Sequence, residues 1–199
     1  MCMLFVMEKQ NSLRDRKKEK TRQALIDASL KLFLKNGYDN TTVDDIAEHV
    51  EVSRRTFFRY FQSKEAVVFT RHERRIKLFR QLLEKHFCSE KPLDGVRAAL
   101  MEFAEDYAQN AEALRAEWAI VTASPILIAK DVELDFEFES AIADTLMDRR
   151  CIQPYEELDA RIIAGALFGV IRAAMQAWYS GDCKQDLFEI GRKALDIFK

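Results

Sequence analysis

Residues Thr41 to Val68 read TTVDDIAEHVEVSRRTFFRYFQSKEAVV, and this stretch decides the fold. Thr42 offers an N-cap hydroxyl, and Val43, Ile46, Ala47 and Val50 follow at the i, i+3, i+4, i+7 spacing of a short amphipathic helix. Glu51, Val52 and Ser53 make a tight turn, and Ser53 caps a second short helix that runs through Phe61. At about 100 degrees per residue, Phe61 and Tyr60 fall within roughly sixty degrees of Phe57, while Arg55 and Arg59 fall opposite. One face is apolar and the other cationic. Such a pair of helices, the second showing arginines outward, is what a major-groove reader requires, because the groove admits a helix and Arg bridges O6 and N7 of guanine. Taken alone, the two arginines read first as a solvated face. The turn, the caps and the surrounding hydroxyls and aromatics favour DNA, and Thr42 and Lys64 each stand at a helix start, where backbone N–H groups attract phosphate.

Working outward, the preceding helix spans about Arg16 to Asn36, with Leu25, Ala28 and Leu32 on one stripe, Ile26, Leu30 and Phe33 beside it, and Gly37 as a left-handed cap. Ser63 caps a fourth helix expected from Lys64 to about Cys88. Val96, Leu100, Phe103 and Tyr107 mark a fifth, and Leu114, Trp118 and Val121 a sixth. Helices from about Ile126 to Arg149, Tyr155 to Ser180 and Asp186 to Phe198 complete an all-α, nine-helix chain. Pro92, Pro125 and Pro154 stand where one periodic segment gives way to the next. The expected organisation is a flexible tail over 1–15, a helix-turn-helix DNA-binding domain over 16–63 and a ligand-binding and dimerisation domain over 64–199.

Charge divides the same way. Residues 1–75 carry 16 Lys and Arg against 11 Asp and Glu, and the remainder carries 15 against 22. The basic end suits a polyanion and the acidic end does not. Cysteines at 2, 88, 151 and 183 include no C-x-x-C pair and no His spacing for structural zinc, so a reducing cytoplasm is the expected setting. The opening MCMLFVM is too short for a signal-peptide core and reads as a frayed tail, with Met7 as a second possible start. Ile162 to Tyr179 is a mostly apolar run of 18 residues, but Arg172 and Gln176 interrupt it, and an Arg at the centre of a membrane span costs about 2.5 kcal/mol or more. A helix buried on two sides of a bundle fits better.

The run from Thr41 to Val68, following TRQALIDASLKLFLKNGY at 21–38, resembles the TetR family signature over about residues 20 to 70. That resemblance implies a cytoplasmic homodimeric repressor whose two recognition helices enter successive major grooves of double-stranded operator DNA, with a larger C-terminal domain sensing a small molecule. It makes Arg54, Arg55 and Thr56 candidates for base or adjacent phosphate contacts, beside the capping Ser53. Tyr60 and Lys64 are then expected on phosphate, with Thr42 anchoring the helix before the turn. Two positions depart from the pattern. Phe58 stands where the family carries a phosphate-touching tyrosine, leaving Arg59 to compensate. Glu51 stands where the turn carries glycine, so a non-glycine residue must accept a left-handed conformation at about 1 kcal/mol.

In the C-terminal half, TASPILIAKDVELDFEFESAIADTL at 122–146 is similar to the ligand domain of the mycofactocin-regulator branch, which implies acyl thioesters or other long apolar effectors. From the residues alone, Phe79, Leu83, Met101, Phe103, Tyr107, Trp118, Val121 and Phe136 are candidates to line a cavity, with ordinary core the competing reading for each. Gly165, Gly169, Ala173 and Ala177 set small residues every four positions along one helix, which allows close helix approach. With Leu167, Ile171, Trp178, Leu187, Ile190 and Leu195 they form the expected dimer seam, the alternative being packing within one subunit. Arg71, Arg74 and Arg75 are candidates for charge pairs that change as the fourth helix tilts. Neither cofactor nor metal is expected.

Two rival classes stand beside this. For an enzyme, His72 and His86 would have to share a site, yet at 1.5 Å per residue they lie roughly 21 Å apart on one helix, and no G-x-S-x-G, H-E-x-x-H or P-loop motif occurs. His49, His72 and His86 read as surface or capping residues. The other rival is an apolar-ligand carrier or interaction module with a degenerate DNA-binding domain, which Phe58 and Glu51 leave open.

Overall fold

A computed structural model describes residues 13–196, so the expectations placed on residues 1–12 of the opening tail and on the last turn at Phe198 lie outside the described residues, while Leu13 to Asp15, expected in the tail, are helical. The described chain is helical, with ten helices rather than nine, and divides into two compact units, Met1–Val68 and Phe69–Lys199.

The first unit contains α1 (Leu13–Asn36), α2 (Val43–His49), α3 (Arg54–Tyr60) and α4 (Glu65–Val68). The basic segment from Arg14 to Lys20 is the exposed start of α1. Gly37, at a φ of 86°, ends that helix and donates its N–H to the Phe33 carbonyl at 2.9 Å. Leu25, Phe33, Ile46, Phe57 and Val67 fill the core between the helices. Phe33 and Tyr38 meet edge to face at 5.1 Å.

The second unit contains α5 (His72–Lys85), α6 (Pro92–Gln109), α7 (Ala111–Thr122), α8 (Pro125–Leu146), α9 (Glu157–Ser180) and α10 (Leu187–Leu195). Its core runs through Phe79, Leu100, Phe138, Ile142, Leu146 and Leu167. At Gly95 a Cβ would collide with the His86 carbonyl, so glycine is what lets α6 cross the end of α5 this closely.

The expected continuous fourth helix is the main correction to the element order. It breaks at residues 69–71, where the His72 N–H bonds the Phe69 carbonyl in a tight turn. Val67 and Val68 are buried in the first unit and Ile76, Phe79, Leu82 and Leu83 in the second, so the two segments serve different cores. Helical periodicity alone does not register that competition. The unit boundary accordingly falls after Val68 rather than after Ser63. No helix among the described residues is long and apolar enough to cross a membrane.

Candidate nucleic-acid interface and ligand cavity

The first unit builds its cationic face from the capped turn upward. Thr42 and Asp45 form a reciprocal capping box: the Asp45 N–H donates to Thr42 Oγ1 at 3.1 Å, and the Thr42 N–H donates to Asp45 Oδ2 at 2.8 Å. The Thr42 hydroxyl and backbone hold the Asp45 carboxyl below its ordinary value. At the other end of α2, Glu51 N–H bonds Glu48 O at 3.0 Å and Val52 N–H bonds Ala47 O at 2.9 Å, the two bonds of a Schellman motif. Glu51 sits in that motif at a φ of 57°, the left-handed conformation expected of it.

Ser53 then caps α3, its Oγ accepting from the Thr56 N–H at 3.1 Å. Phe57 is fully buried and Phe61 nearly so, anchoring one side of α3. Arg55, Phe58 and Arg59 are exposed on the surface, with Thr56 and Tyr60 half-buried. The arginines differ in what holds them. Arg54 pairs with Asp44 of α2 at 2.8 Å and lies 5.5 Å over the Phe58 ring. Arg59 lies 5.3 Å over Tyr60. Arg55 makes no hydrogen bond or ion pair among the described residues, which leaves its guanidinium free for a partner outside the chain.

Lys64 behaves differently from the phosphate ligand expected of it. Its Nζ donates to the Tyr38 carbonyl at 2.7 Å and to the Thr41 carbonyl at 2.8 Å, and sits 3.9 Å over the Tyr38 ring. The ammonium therefore ties the loop between α1 and α2 to the start of α4, and burial pushes it below the usual lysine range. Position at a helix start is legible in the sequence, but the direction of a long side chain is not.

The second unit encloses a cavity of about 170 Å³ lined from all six of its helices. Five of the expected residues line it: Met101, Phe103, Tyr107, Trp118 and Val121. Three do not. Phe79 and Leu83 are buried core, Phe79 packing at 5.1 Å on Phe103 and 5.6 Å on Phe138, and Phe136 is 58% exposed on α8. Phe138, two positions further, is the liner. The two alternate with the acidic residues Asp135, Glu137 and Glu139, and only the packing of α8 selects between them.

Of the charged groups at the cavity, the sequence singles out Arg71 and Arg75 as charge-pair candidates but not their partner Glu117, nor Asp131, Asp135 and Arg172. Arg75 donates from Nη1 and Nη2 to the two Glu117 oxygens at 3.0 and 2.8 Å, with Arg71 at 3.8 Å from the same carboxylate. Asp131, Asp135 and Arg172 also line the wall, Arg172 lying 3.4 Å from Asp135 and 3.7 Å from Glu139. Burial, with the neighbouring Asp131 charge, pushes the Asp135 carboxyl up to about 7. Trp118 stacks on Tyr179 at 4.6 Å with their planes 9° apart. One signal for these groups is present in the sequence: Asp131 and Asp135 stand four apart on a helix, as do Arg71 and Arg75.

The expected seam residues fall into two groups. At Gly165 and Gly169 an added Cβ would meet nothing within 4 Å, and Ala173 and Ala177 are exposed along the same helix. Leu167, Trp178, Leu187 and Leu195 are instead buried within the subunit, and Ile171 lines the cavity, which corrects their assignment to a subunit surface. Trp178 also donates its indole N–H to the Gln185 carbonyl at 3.0 Å. Ile190 is half-buried. Helix α9 is apolar nearly all round, so periodicity cannot tell its inner side from its outer. Of the histidines, His72 is not a surface residue: its ring packs edge to face on Phe138 at 5.6 Å. His86 Nε2 pairs with Glu102 at 2.7 Å.

Residues 25–69 match the family described as bacterial regulatory proteins, tetR family, and residues 90–199 match the MftR C-terminal domain. The chain is 34% identical over 173 residues to the HTH-type transcriptional regulator TcmR of Streptomyces glaucescens, covering 84% of this chain and 76% of that protein. Among solved structures, a SmeT–triclosan complex shares the fold at a TM-score of 0.67 and 22% identity, over 89% of each chain. FadR of Thermus thermophilus, solved with lauroyl-CoA, does so at 0.60 and 22% identity, over 88% of this chain and 92% of that one.

Proposed function

The chain belongs to the tetR family of bacterial regulatory proteins, and on that premise we propose that it is a repressor that holds an inverted-repeat operator as a homodimer and releases it when a small, largely apolar molecule enters the cavity of its second unit. The observation that carries the reading is the free guanidinium of Arg55, displayed outward on a helix whose opposite side is anchored by buried Phe57 and Phe61. A reading residue needs a rigid base and an uncommitted head, and Arg55 has both. Arg54 and Arg59, stacked on aromatic rings, suit contacts to the flanking backbone, as do the hydroxyls of Thr56 and Tyr60.

Two-fold pairing is supported by the outer side of α9, where Gly165, Gly169, Ala173 and Ala177 lie open beside exposed Ile162, with Val132 and Phe136 exposed on the adjoining α8. Small residues let two helices approach closely, and a two-fold dimer implies a palindromic site. For release, the effector must bind the DNA-free form more tightly; only that difference can shift the equilibrium. SmeT was solved with triclosan and FadR with lauroyl-CoA, which supports a small-molecule effector in this architecture. Phe58 and Glu51, the two departures from the family pattern, are both accommodated, Phe58 under Arg54 and Glu51 in a formed helix cap. The carrier alternative has no comparable support.

Fluorescence anisotropy of the purified protein on labelled DNA from upstream of its own gene, and on duplexes selected from a random pool, tests the reading in excess nonspecific DNA. Saturable binding to an inverted repeat is the expected result. Equal affinity for every duplex would remove sequence-specific regulation.

A further inference from the structure

We propose that the cavity is built for an aromatic cation, whose positive charge pairs with the Asp131 carboxylate and whose ring lies among Phe103, Tyr107, Phe138 and the Trp118–Tyr179 stack. The inference rests on the reading of this cavity as the effector site and narrows the effector's chemistry.

The charges on the wall set the sign. Five acidic or basic side chains line the cavity, Arg75, Glu117, Asp131, Asp135 and Arg172. Both guanidinium groups are committed: Arg75 grips Glu117 through two hydrogen bonds, and Arg172 is shared between Asp135 and Glu139. Asp131 makes no hydrogen bond or ion pair among the described residues. A carboxylate or phosphate entering the cavity would find no free cation and three acidic side chains. A positive ligand would find the carboxylate that lacks a partner, and burying a charge beside an unpaired opposite charge relieves the cost of both.

The remaining surface supports the same sign. Aromatic rings present negative faces, and a cation within about 6 Å of such a face is attracted by it. Phe103 lies 5.0 Å from Tyr107 and 5.8 Å from Phe138, and Trp118 stacks on Tyr179, so rings flank the cavity on several sides. The Tyr107 hydroxyl, which has no hydrogen-bond partner among the described residues, can accept from a protonated amine. A volume of about 170 Å³ suits one aromatic system of one or two rings; an apolar cavity of about 150 Å³ admits benzene. A long acyl chain with a polyanionic head matches neither the volume nor the sign.

Burial, with Glu117, raises the Asp131 carboxyl, and burial with Asp131 holds Asp135 at about 7. The groups facing this pair are Arg75 and His72 of α5, Tyr107 of α6, Glu117 of α7, Glu139 of α8 and Arg172 of α9. A cation that binds the ionised carboxyls must displace their protons, so its affinity rises with pH through the neutral range, while that of a neutral ring does not.

Isothermal titration of the full-length protein with N-methylquinolinium, quinoline, 1-naphthoate and lauroyl-CoA at pH 8 and pH 6 separates the classes. The cation is expected to bind about tenfold or more tightly than quinoline or naphthoate at pH 8, the size of one cation–π contact with one charge pair. That ratio should shrink at pH 6 and collapse in Asp131→Asn, a variant that removes an unpaired charge and so does not endanger folding. Tightest binding by naphthoate or lauroyl-CoA, a ratio unchanged in Asp131→Asn, or no binding by the cation overturns the assignment. Titrating the same preparation with operator DNA keeps the two readings apart: DNA binding without cation binding rejects this inference alone, and cation binding without DNA binding rejects the repressor alone.

Discussion

Arg75 and Glu117, 42 residues apart, meet through two hydrogen bonds of 3.0 and 2.8 Å, joining α5 to α7 at the cavity wall. Both side chains are largely buried, at 17% and 11% exposure. Glu117→Ala leaves a guanidinium stranded in this setting and is expected to cost about 3 to 5 kcal/mol in urea denaturation. Replacing both, as Arg75→Met with Glu117→Leu, should recover most of that loss. A single variant with near wild-type stability would show the pair to be solvated in practice.

On the other unit, Arg55→Ala is expected to lower operator affinity by about 1 to 3 kcal/mol and to flatten base preference at one position of each half-site. Arg54→Ala, which removes a residue already paired with Asp44, should weaken all duplexes more evenly. Titrations over mutated half-sites at fixed salt compare the two. Unchanged base preference in Arg55→Ala would take it out of the reading set.

Lys64→Ala removes two charge-assisted hydrogen bonds to the Tyr38 and Thr41 carbonyls. A loss of about 1.5 to 3 kcal/mol is expected in the stability of the first unit. Protease susceptibility within residues 13–68 should rise in parallel. If DNA affinity drops with stability intact, the ammonium contacts phosphate after all.

Glu51→Gly relieves a left-handed φ of 57° at the C′ position of α2. The expected gain is about 0.5 to 1 kcal/mol, partly offset by the greater freedom of glycine in the unfolded chain. Thermal melts of the two proteins at one concentration decide it, and a lower midpoint for the variant would argue that the glutamate makes compensating contacts.

Asp135, raised to about 7 by burial and by Asp131, has a folded value above its unfolded one. Its contribution is therefore fully present below the unfolded value, near 4, and is lost as pH rises through about 7. Stability of the second unit should decline from about pH 4 to about pH 7 and level off above that, and Asp135→Asn should flatten that slope. A wild-type profile that is level across this window, or a slope that persists in the variant, contradicts it.

The helix-turn-helix is legible residue by residue because its determinants are local. Caps at Thr42 and Ser53, the left-handed positions at Gly37 and Glu51, and the apolar side of α3 all act within four or five residues of themselves. Helix order in the second unit is legible for the same reason, since periodicity and proline placement report on each helix separately. The misplacements share one cause. Periodicity favours Phe136 as a liner where Phe138 is one, and it puts Leu167, Trp178, Leu187 and Leu195 on a subunit surface though they lie inside. Periodicity finds an apolar side but does not say what covers it: α9 is apolar nearly all round, Phe136 and Phe138 stand two apart on α8, and the apolar side of α10 serves a subunit core as well as it would a subunit surface.

What the chain determined by itself, then, is whatever depends on neighbours in sequence: the helical segments but for one break, the capped turn, and the cationic face that bears Arg55. Tertiary structure decided what depends on neighbours in space. It turned Lys64 inward onto two carbonyls, divided the expected fourth helix between two cores, and gathered Arg75, Glu117, Asp131 and Asp135 from three helices onto one wall. The direction of a long side chain and the pairing of distant charges are set by packing and desolvation, energies that exist only once separate helices have met.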